Sequence, residues 1–217
     1  MPRTNRRFGS PVGSGPLGRQ SQGWRFCLAA LCLLFLSASG SPLHAQPAAI
    51  SHVLDLNGID SYVELPPDIL NKLDEATVEA WVKWRSHPGD NSFGSRFFSY
   101  GERDKDTGIQ AFPDGGLYFF IADAQLKVGP RTSLSVPGAV RTNEWYHFAA
   151  VSGKAGMKLY FQGAVIATND YPGSFSAVKN GARFRLGRSV VDEEPFVDGQ
   201  LAEVRVWKVA RTPGQIP

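Results

Sequence analysis

The sequence predicts an all-β protein built as an antiparallel β-sandwich. Apolar and polar residues alternate over short stretches, as expected of strands that bury one face. Turn residues such as Asn-Gly, Pro-Asp-Gly and Gln-Gly separate these stretches. Short strands at regular spacing, without a sustained helical period, are typical of sandwiches and barrels.

The alternation predicts a strand in most of the chain after residue 52. In order, the predicted strands are residues 52–56, 62–65, 77–84, 96–100, 109–112, 117–122, 145–151, 158–161, 165–168, 183–186 and 201–207. The strongest local prediction is a hairpin over residues 158–168, because Gly163 allows the positive φ that a two-residue turn requires. Residues 67–73 favour a single helical turn.

The first 45 residues predict a secretory signal peptide. Residues 1–25 carry five Arg and no acid, residues 26–36 (FCLAALCLLFL) are apolar, and Ala45 offers a small residue for cleavage. A spanning helix needs about 20 apolar residues, so we expect no membrane span after cleavage. An uncleaved anchor and an internal helix are the alternatives. Residues 46–52 are then a linker and 53–217 one domain, which is secreted, periplasmic or at the cell surface.

Removal of the leader changes the charge and the chemistry of the chain. Lys and Arg fall from 23 to 18 against 20 Asp and Glu, so a net charge of +3 becomes −2. Proteins that bind nucleic acid carry clustered surplus basic charge, and we therefore expect no nucleic-acid partner. Cys27 and Cys32 both lie in the leader, so the domain lacks a disulfide, a thiol nucleophile and a Cys-ligated metal.

Four blocks, in order, resemble the laminin-G-like, concanavalin A-like lectin and glucanase pattern. They are LDLNGIDSYVELP from residue 54, TVEAWVKW from residue 77, EWYHFAAVSG with MKLYFQGAVIAT from residues 144 and 157, and FVDGQLAEVRVW from residue 196. The resemblance covers about residues 53–216. It implies a jelly-roll sandwich whose first block is a hairpin turning at Gly58. It also implies a non-catalytic recognition or adhesion module that binds carbohydrate or an extracellular protein.

The resemblance further implies calcium at the rim of the sandwich, but this sequence departs from the pattern twice. Asn57 in the first block and Ala202 in the last stand where the family often has Asp. Calcium takes about six to eight oxygen ligands, preferably from carboxylates. Asn57 and Asp60, with backbone carbonyls, remain the candidate metal ligands, and calcium is the expected cofactor.

The candidate ligand site lies in two polar, turn-rich segments, residues 86–96 and 101–108. Rigid sandwiches present loops for recognition. Arg96, Tyr100, Arg103 and Asp106 are the candidates to bind hydroxyls or carboxylates, and Trp84 is the candidate platform for stacking. Plain surface loops are the alternative, because charged segments are usually solvated.

Core packing competes with ligand stacking as the role of each tryptophan. Trp84 shares the two-residue period of the apolar residues in its strand, whereas Trp81 falls on the opposite face. For Trp84 and for Trp81, core packing and ligand stacking therefore both remain open. We expect Trp145 and Trp207 to pack in the core or between the sheets.

A glycan-active hydrolase of the same fold class is the alternative function. Such enzymes place two carboxylates about 5–9 Å apart across the sugar. The nearest cluster, Asp192-Glu193-Glu194, alternates in direction and precedes Pro195, which predicts a solvated loop. A third interpretation is that the chain is a fragment of a larger multidomain extracellular protein.

Overall fold

The computed structural model describes residues 52–87, 93–123, 125, 128–129, 131–179 and 181–217. The predicted signal peptide, most of the predicted linker and the predicted turn at residues 88–90 lie outside these ranges. Within them, the structure contains no helix with the length and apolar character to cross a membrane.

The described residues form two antiparallel sheets of six strands each. The strands are β1 (Leu54–Asn57), β2 (Val63–Leu65), β3 (Ala76–Trp84), β4 (Ser95–Glu102), β5 (Lys105–Ala111), β6 (Leu117–Ile121), β7 (Ser133–Val136), β8 (Tyr146–Ser152), β9 (Met157–Phe161), β10 (Ala164–Asn169), β11 (Arg183–Leu186) and β12 (Asp198–Trp207). The first sheet has the order β1-β12-β3-β8-β9-β10 and the second β2-β11-β4-β5-β6-β7. The predicted antiparallel β-sandwich is confirmed.

One hydrophobic core joins the facing sides of the two sheets. The Trp84 ring of the first sheet lies 6.1 Å, centroid to centroid, from Phe97 of the second sheet and 5.8 Å from Phe148 of its own. Edge contacts of this kind stabilise aromatic cores beyond the area that they bury. Successive side chains of a strand point to opposite faces, so residues that alternate with the core lie on the outer faces of the sandwich.

Each of the eleven predicted strands overlaps an observed strand, and one observed strand was not predicted. Strand β7 has only four residues, SLSV, of which Leu134 and Val136 pack toward the core. Such a short alternation gives little periodic signal. The predicted hairpin is confirmed, with Gln162 and Gly163 at φ values of 50° and 77° between β9 and β10. The predicted helical turn is a 3-10 turn at Pro67–Ile69.

The first block is not a hairpin within one sheet, contrary to the expectation from the resemblance. Strand β1 pairs with β12 in the first sheet, whereas β2 pairs with β11 in the second. Gly58 does lie at a turn, with a φ of 71°. The segment between β1 and β2 therefore crosses from one sheet to the other at the edge of the sandwich.

The four tryptophans among the described residues do not all lie where they were expected. Trp84 is fully buried in the core. Trp207, expected in the core, is instead 39% exposed on the outer face of the first sheet, where the Arg211 guanidinium lies 4.4 Å from its ring centroid. Trp145 is half-buried beside the Lys83 ammonium group. Trp81, also half-buried, lies on the outer face next to His147.

Candidate functional site

The outer face of the second sheet is polar and yet largely shielded from water. Side chains of β4, β5 and β11 that alternate with the core residues are buried there. They include Arg96, Ser99, Asp106, Gln110 and Arg185. Residues 188–196, which connect β11 to β12, lie against this face and account for the shielding.

Arg96 is the centre of a buried charged cluster on that face. Its guanidinium pairs with the Asp106 carboxylate from β5 and, at 2.6 Å, with Glu194 Oε1 from the 188–196 segment. The side chains of all three are 6–7% exposed. A third contact, 3.1 Å from Arg96 Nε to Gln110 Oε1, orients the guanidinium. Buried charges persist only when they are paired in this way.

The two carboxylates of the cluster compete for one guanidinium. Burial raises the pKa of Asp106, and the proximity of Arg96 only partly opposes that rise. The nearby negative charge of Glu194 raises it further. The cluster therefore carries more negative than positive charge when both acids are ionised.

Gly108 makes room for an aromatic ring under Arg96. The Arg96 guanidinium lies 4.8 Å from the ring centroid of Phe120 on β6. A Cβ at Gly108 would come within 3.0 Å of the Phe120 ring and 3.1 Å of Arg96 Cδ. Strand β5 lies between Arg96 and Phe120, and only a residue without a side chain at position 108 lets the guanidinium contact the ring.

The 188–196 segment is irregular but is fixed by specific contacts. Asp192 accepts hydrogen bonds from Arg183 at 3.0 Å and from Arg185 at 2.7 Å. These bonds, that of Arg185 first, lower the pKa of Asp192 to about 2. The backbone N–H of Val190 donates to Ser99 Oγ at 3.1 Å. The prediction of a solvated loop is therefore wrong for Glu194, which is buried, whereas Glu193 is exposed.

A cleft of about 750 Å³ lies between this segment and strands β4, β5 and β6. Its floor is the charged cluster with Gln110 and Phe120, and its sides include Phe93, Arg103, Tyr118 and Val191. A depression of about 390 Å³ adjoins it through Arg103 and Val191. Another, of about 380 Å³, adjoins it through Tyr118 and reaches β7.

The structure brings together three of the five predicted ligand-binding residues. Arg96, Arg103 and Asp106 all line the cleft. Trp84 and Tyr100 do not, and their predicted ligand contacts are wrong because both side chains point into the core with no exposed surface. The Tyr100 hydroxyl donates to Asn71 Oδ1 instead.

Most residues of the cleft were not among the predicted ligand-binding residues. Those of its floor and rim include Gln110, Tyr118, Phe120 and Glu194. Strand β6 (LYFFI) is apolar on both faces, which is a signal that its outer face is also covered. For Glu194 the sequence offers no comparable signal, because its partner Arg96 lies 98 positions away.

The predicted calcium ligands form a self-contained loop at the sandwich edge. Asn57 Oδ1 accepts hydrogen bonds from the backbone N–H groups of Ile59, Asp60 and Ser61 and from the Ser61 hydroxyl. The Asn57 amide donates to Asp60 Oδ1 at 2.8 Å. The side-chain oxygen that would bind calcium is thus already used, and Asp60 is the single carboxylate of the loop.

The acidic residues next to this loop are already paired with an arginine. Arg85, which follows β3, pairs with Asp55 and Asp198, each at 2.9 Å, and donates to the Leu56 carbonyl. Calcium needs several free oxygens, so the residues around Asn57 do not fit the ion as they are arranged. In the part of the chain that the structure describes, no three His, Cys, Asp or Glu side chains are grouped to hold a metal. Calcium binding stays an untested prediction.

Comparisons with known proteins agree with the fold. Residues 57–217 match a family model, Laminin_G_3, described as the concanavalin A-like lectin/glucanases superfamily. Mouse (Mus musculus) pappalysin-1 is 27% identical over 185 residues, which cover 79% of this chain and 11% of that protein. The chain thus spans about a tenth of the length of this relative.

Two solved structures with the same fold belong to a sialidase and an arabinanase. The CBM40 of Ruminococcus gnavus IT-sialidase, bound to alpha2,3 sialyllactose, superposes with a TM-score of 0.60 at 16% identity, covering 76% of this chain and 96% of that one. Domain 4 of AbnA, a GH43 extracellular arabinanase from Geobacillus stearothermophilus in complex with arabinotriose, has a TM-score of 0.57 at 23% identity, covering 75% and 73%. At these identities the likeness shows the fold alone.

Proposed function

We propose that this chain, which belongs to the concanavalin A-like lectin/glucanase superfamily, is a non-catalytic module that binds carbohydrate in the cleft of the second sheet. The observation that carries the proposal is the combination, in one cleft, of an aromatic rim and a buried polar floor. Phe93, 52% exposed, and the half-buried Tyr118 form the rim. Sugars present apolar ring faces and hydroxyls together, and such a cleft complements both.

The size of the site favours an oligosaccharide over a single sugar. The cleft and its two adjoining depressions share residues and extend from β11 across β4, β5 and β6 to β7. Five neighbouring strands at about 4.8 Å spacing span about 19 Å. A ligand of several linked sugars would use this length, with each unit crossing one or two strands.

The match to pappalysin-1, and the solved modules that belong to larger enzymes, support a role as one domain of a larger extracellular protein. In that setting the module would attach the protein to glycans, or to a glycosylated partner. Secretion or display at the cell surface follows from the same proposal.

The proposal is tested by measuring oligosaccharide binding and by removing one rim aromatic. Tyr118→Ala should weaken binding about tenfold, because it removes a stacking surface of the cleft. Trp207→Ala is the matched control, since it removes an exposed aromatic from the other sheet. Glycan-array screening followed by calorimetry supplies the measurement. Equal loss of binding in both variants, or no binding to any glycan, would contradict the proposal.

Hydrolysis is the second candidate, favoured by the two acids that line the cleft. Asp106, whose pKa burial raises, and Glu194 could serve as a pair of catalytic carboxylates. We favour binding because each acid already pairs with Arg96. Release of reducing sugar from a bound oligosaccharide, lost in Asp106→Asn, would instead establish the hydrolase.

A further inference from the structure

The described lining of the cleft has an excess of negative charge. Among its described lining residues, two arginines face four carboxylates, those of Asp104, Asp106, Asp123 and Glu194. One of the two arginines, Arg103, is also paired with Glu193, which does not line the cleft. The other, Arg96, is shared between two acids. Among the described residues that a ligand would contact, acidic groups therefore outnumber the basic ones.

One of these acids has a buried oxygen without a partner. Glu194 uses Oε1 to accept from Arg96, whereas Oε2 is buried and accepts no hydrogen bond from any described residue. The residue is 7% exposed and lines the cleft. An unsatisfied buried carboxylate oxygen is costly, and a ligand that donates a hydrogen bond to it removes that cost.

The donor could be a hydroxyl or an ammonium group, and the charge of the cleft distinguishes them. A hydroxyl satisfies Oε2 but leaves the surplus negative charge unbalanced. An ammonium group donates a hydrogen bond to Oε2 and also balances the negative charge. It is attracted to the faces of the rim aromatics as well. A carboxylated or sulfated sugar offers the wrong charge and, at its anionic group, no donor.

We infer that the cleft selects sugars with a free, positively charged amino group over their N-acetylated and acidic counterparts, with Glu194 as the residue that binds the ammonium. The inference rests on the proposed function and specifies its ligand. Asp104 and Asp123 add longer-range attraction from the sides of the cleft.

The test compares three oligosaccharides of similar length on the full chain: a glucosamine oligomer, its N-acetylated form and an oligouronide. Calorimetry is done at a pH at which the sugar amine is protonated. We expect the amino form to bind at least about tenfold more tightly than the N-acetylated form, in line with a charge-assisted hydrogen bond. Added salt should reduce that preference, because the side of the cleft is solvated. The oligouronide should bind most weakly.

Two variants assign the preference to this cleft. Glu194→Gln keeps an oxygen for Arg96 but removes the charge, and it should abolish most of the preference. Asp104→Asn removes one exposed charge at a φ of 67°, a conformation that Asn adopts readily, and it should reduce the preference by a smaller factor. Glu203→Gln, on an exposed residue of the first sheet, is the matched control and should change nothing. The melting temperature of each variant checks its folding.

The outcomes separate this inference from the proposed function. Equal affinity for the amino and N-acetylated forms, tighter binding of the oligouronide, or a preference that survives in Glu194→Gln would overturn the inference and leave carbohydrate binding standing. Failure of all three sugars, and of every glycan on an array, would overturn both.

Discussion

Single residues explain how the outer face of the second sheet comes to hold a buried charged cluster. Arg96 lies on a strand position that ordinarily faces water, yet it is buried because Asp106 and Glu194 neutralise it. Removing such a partner leaves an uncompensated buried charge, which is far more costly than the pair is worth. The cluster therefore holds its geometry, and a preformed geometry lowers the entropy that a ligand must lose on binding.

Asp192 gives a pH-dependent prediction at the same scale. Its pKa falls from an ordinary 3.8 to about 2 in the folded protein. The stability that it contributes is thus present above about pH 4 and is lost as the pH falls toward 2. Its side chain is 50% exposed, so solvent screening reduces the effect to about 1 kcal/mol. Asp192→Asn should lower the free energy of unfolding by that amount at neutral pH.

The measurement is urea unfolding of both proteins across that pH range. The difference between them should shrink as the pH falls toward 2, because the wild-type carboxylate then progressively gains a proton and loses its charge. Asp68→Asn, at an exposed position, is the control, and it should leave the free energy of unfolding unchanged at every pH. A difference that does not change with pH would show that the Arg183 and Arg185 contacts do not depend on charge.

At the scale of elements, two irregular segments place residues and connect sheets in ways that strand pairing does not. The 188–196 segment brings Glu194 over the second sheet, and it is held there by the arginines of β11 and by Ser99. The 58–62 connection carries the chain between sheets, and Asn57 organises it through its side chain. Both segments depend on side-chain to backbone hydrogen bonds in place of strand pairing.

The role of Asn57 is tested by Asn57→Ala. The substitution removes the acceptor for three backbone N–H groups, and we expect a loss of about 1–2 kcal/mol in the free energy of unfolding, since water replaces part of these bonds. Thermal unfolding with calcium and with a chelator is the measurement. For each of the two proteins, the melting temperature with calcium should equal the melting temperature with the chelator.

Asp60→Asn is the companion variant, because it removes the one carboxylate of the loop while keeping an oxygen for Asn57. It should have little effect on stability in either condition. A rise in the wild-type melting temperature with calcium, absent in Asp60→Asn, would confirm the prediction of a calcium site.

The two sheets of the described domain form one unit because they share one core. Trp84 contacts Phe97 across the sandwich and Phe148 within its own sheet. Trp84→Ala should lower the free energy of unfolding by about 3–5 kcal/mol, a large share of the roughly 5–15 kcal/mol that stabilises a domain. Trp84→Phe should lower it less, because an aromatic ring still fills part of the space between the sheets.

Calorimetry and circular dichroism during heating check this prediction. Both probes should report a single transition at the same lowered temperature, because both sheets depend on the shared core. The separate cluster on the outer face of the first sheet, Ala149, Val151, Tyr160 and Ile216, is too small to keep that sheet folded. Two resolved transitions in Trp84→Ala would mean that the sheets fold independently.

Much of the architecture was predictable from local pattern alone. Alternation located eleven of the twelve strands in the described part of the chain, and the turn residues located the β9–β10 hairpin. Each of these signals is contained within a few neighbouring residues. The period also placed Trp84 with the apolar residues of β3, although it left open whether that face was core or binding surface. Strand β7 was missed because four residues are too few to establish a period.

The amino-acid sequence by itself thus determined the β-sandwich class, most of its strands and the residues that share a face within each strand. Only the tertiary structure decided that β1 and β2 belong to different sheets, that Tyr100 faces the core, and that Glu194 joins Arg96 and Asp106 in a cleft. The reason is physical. Alternation is set by the geometry of one strand, whereas the choice of strand partners and the meeting of distant charges depend on how the whole chain buries its apolar surface.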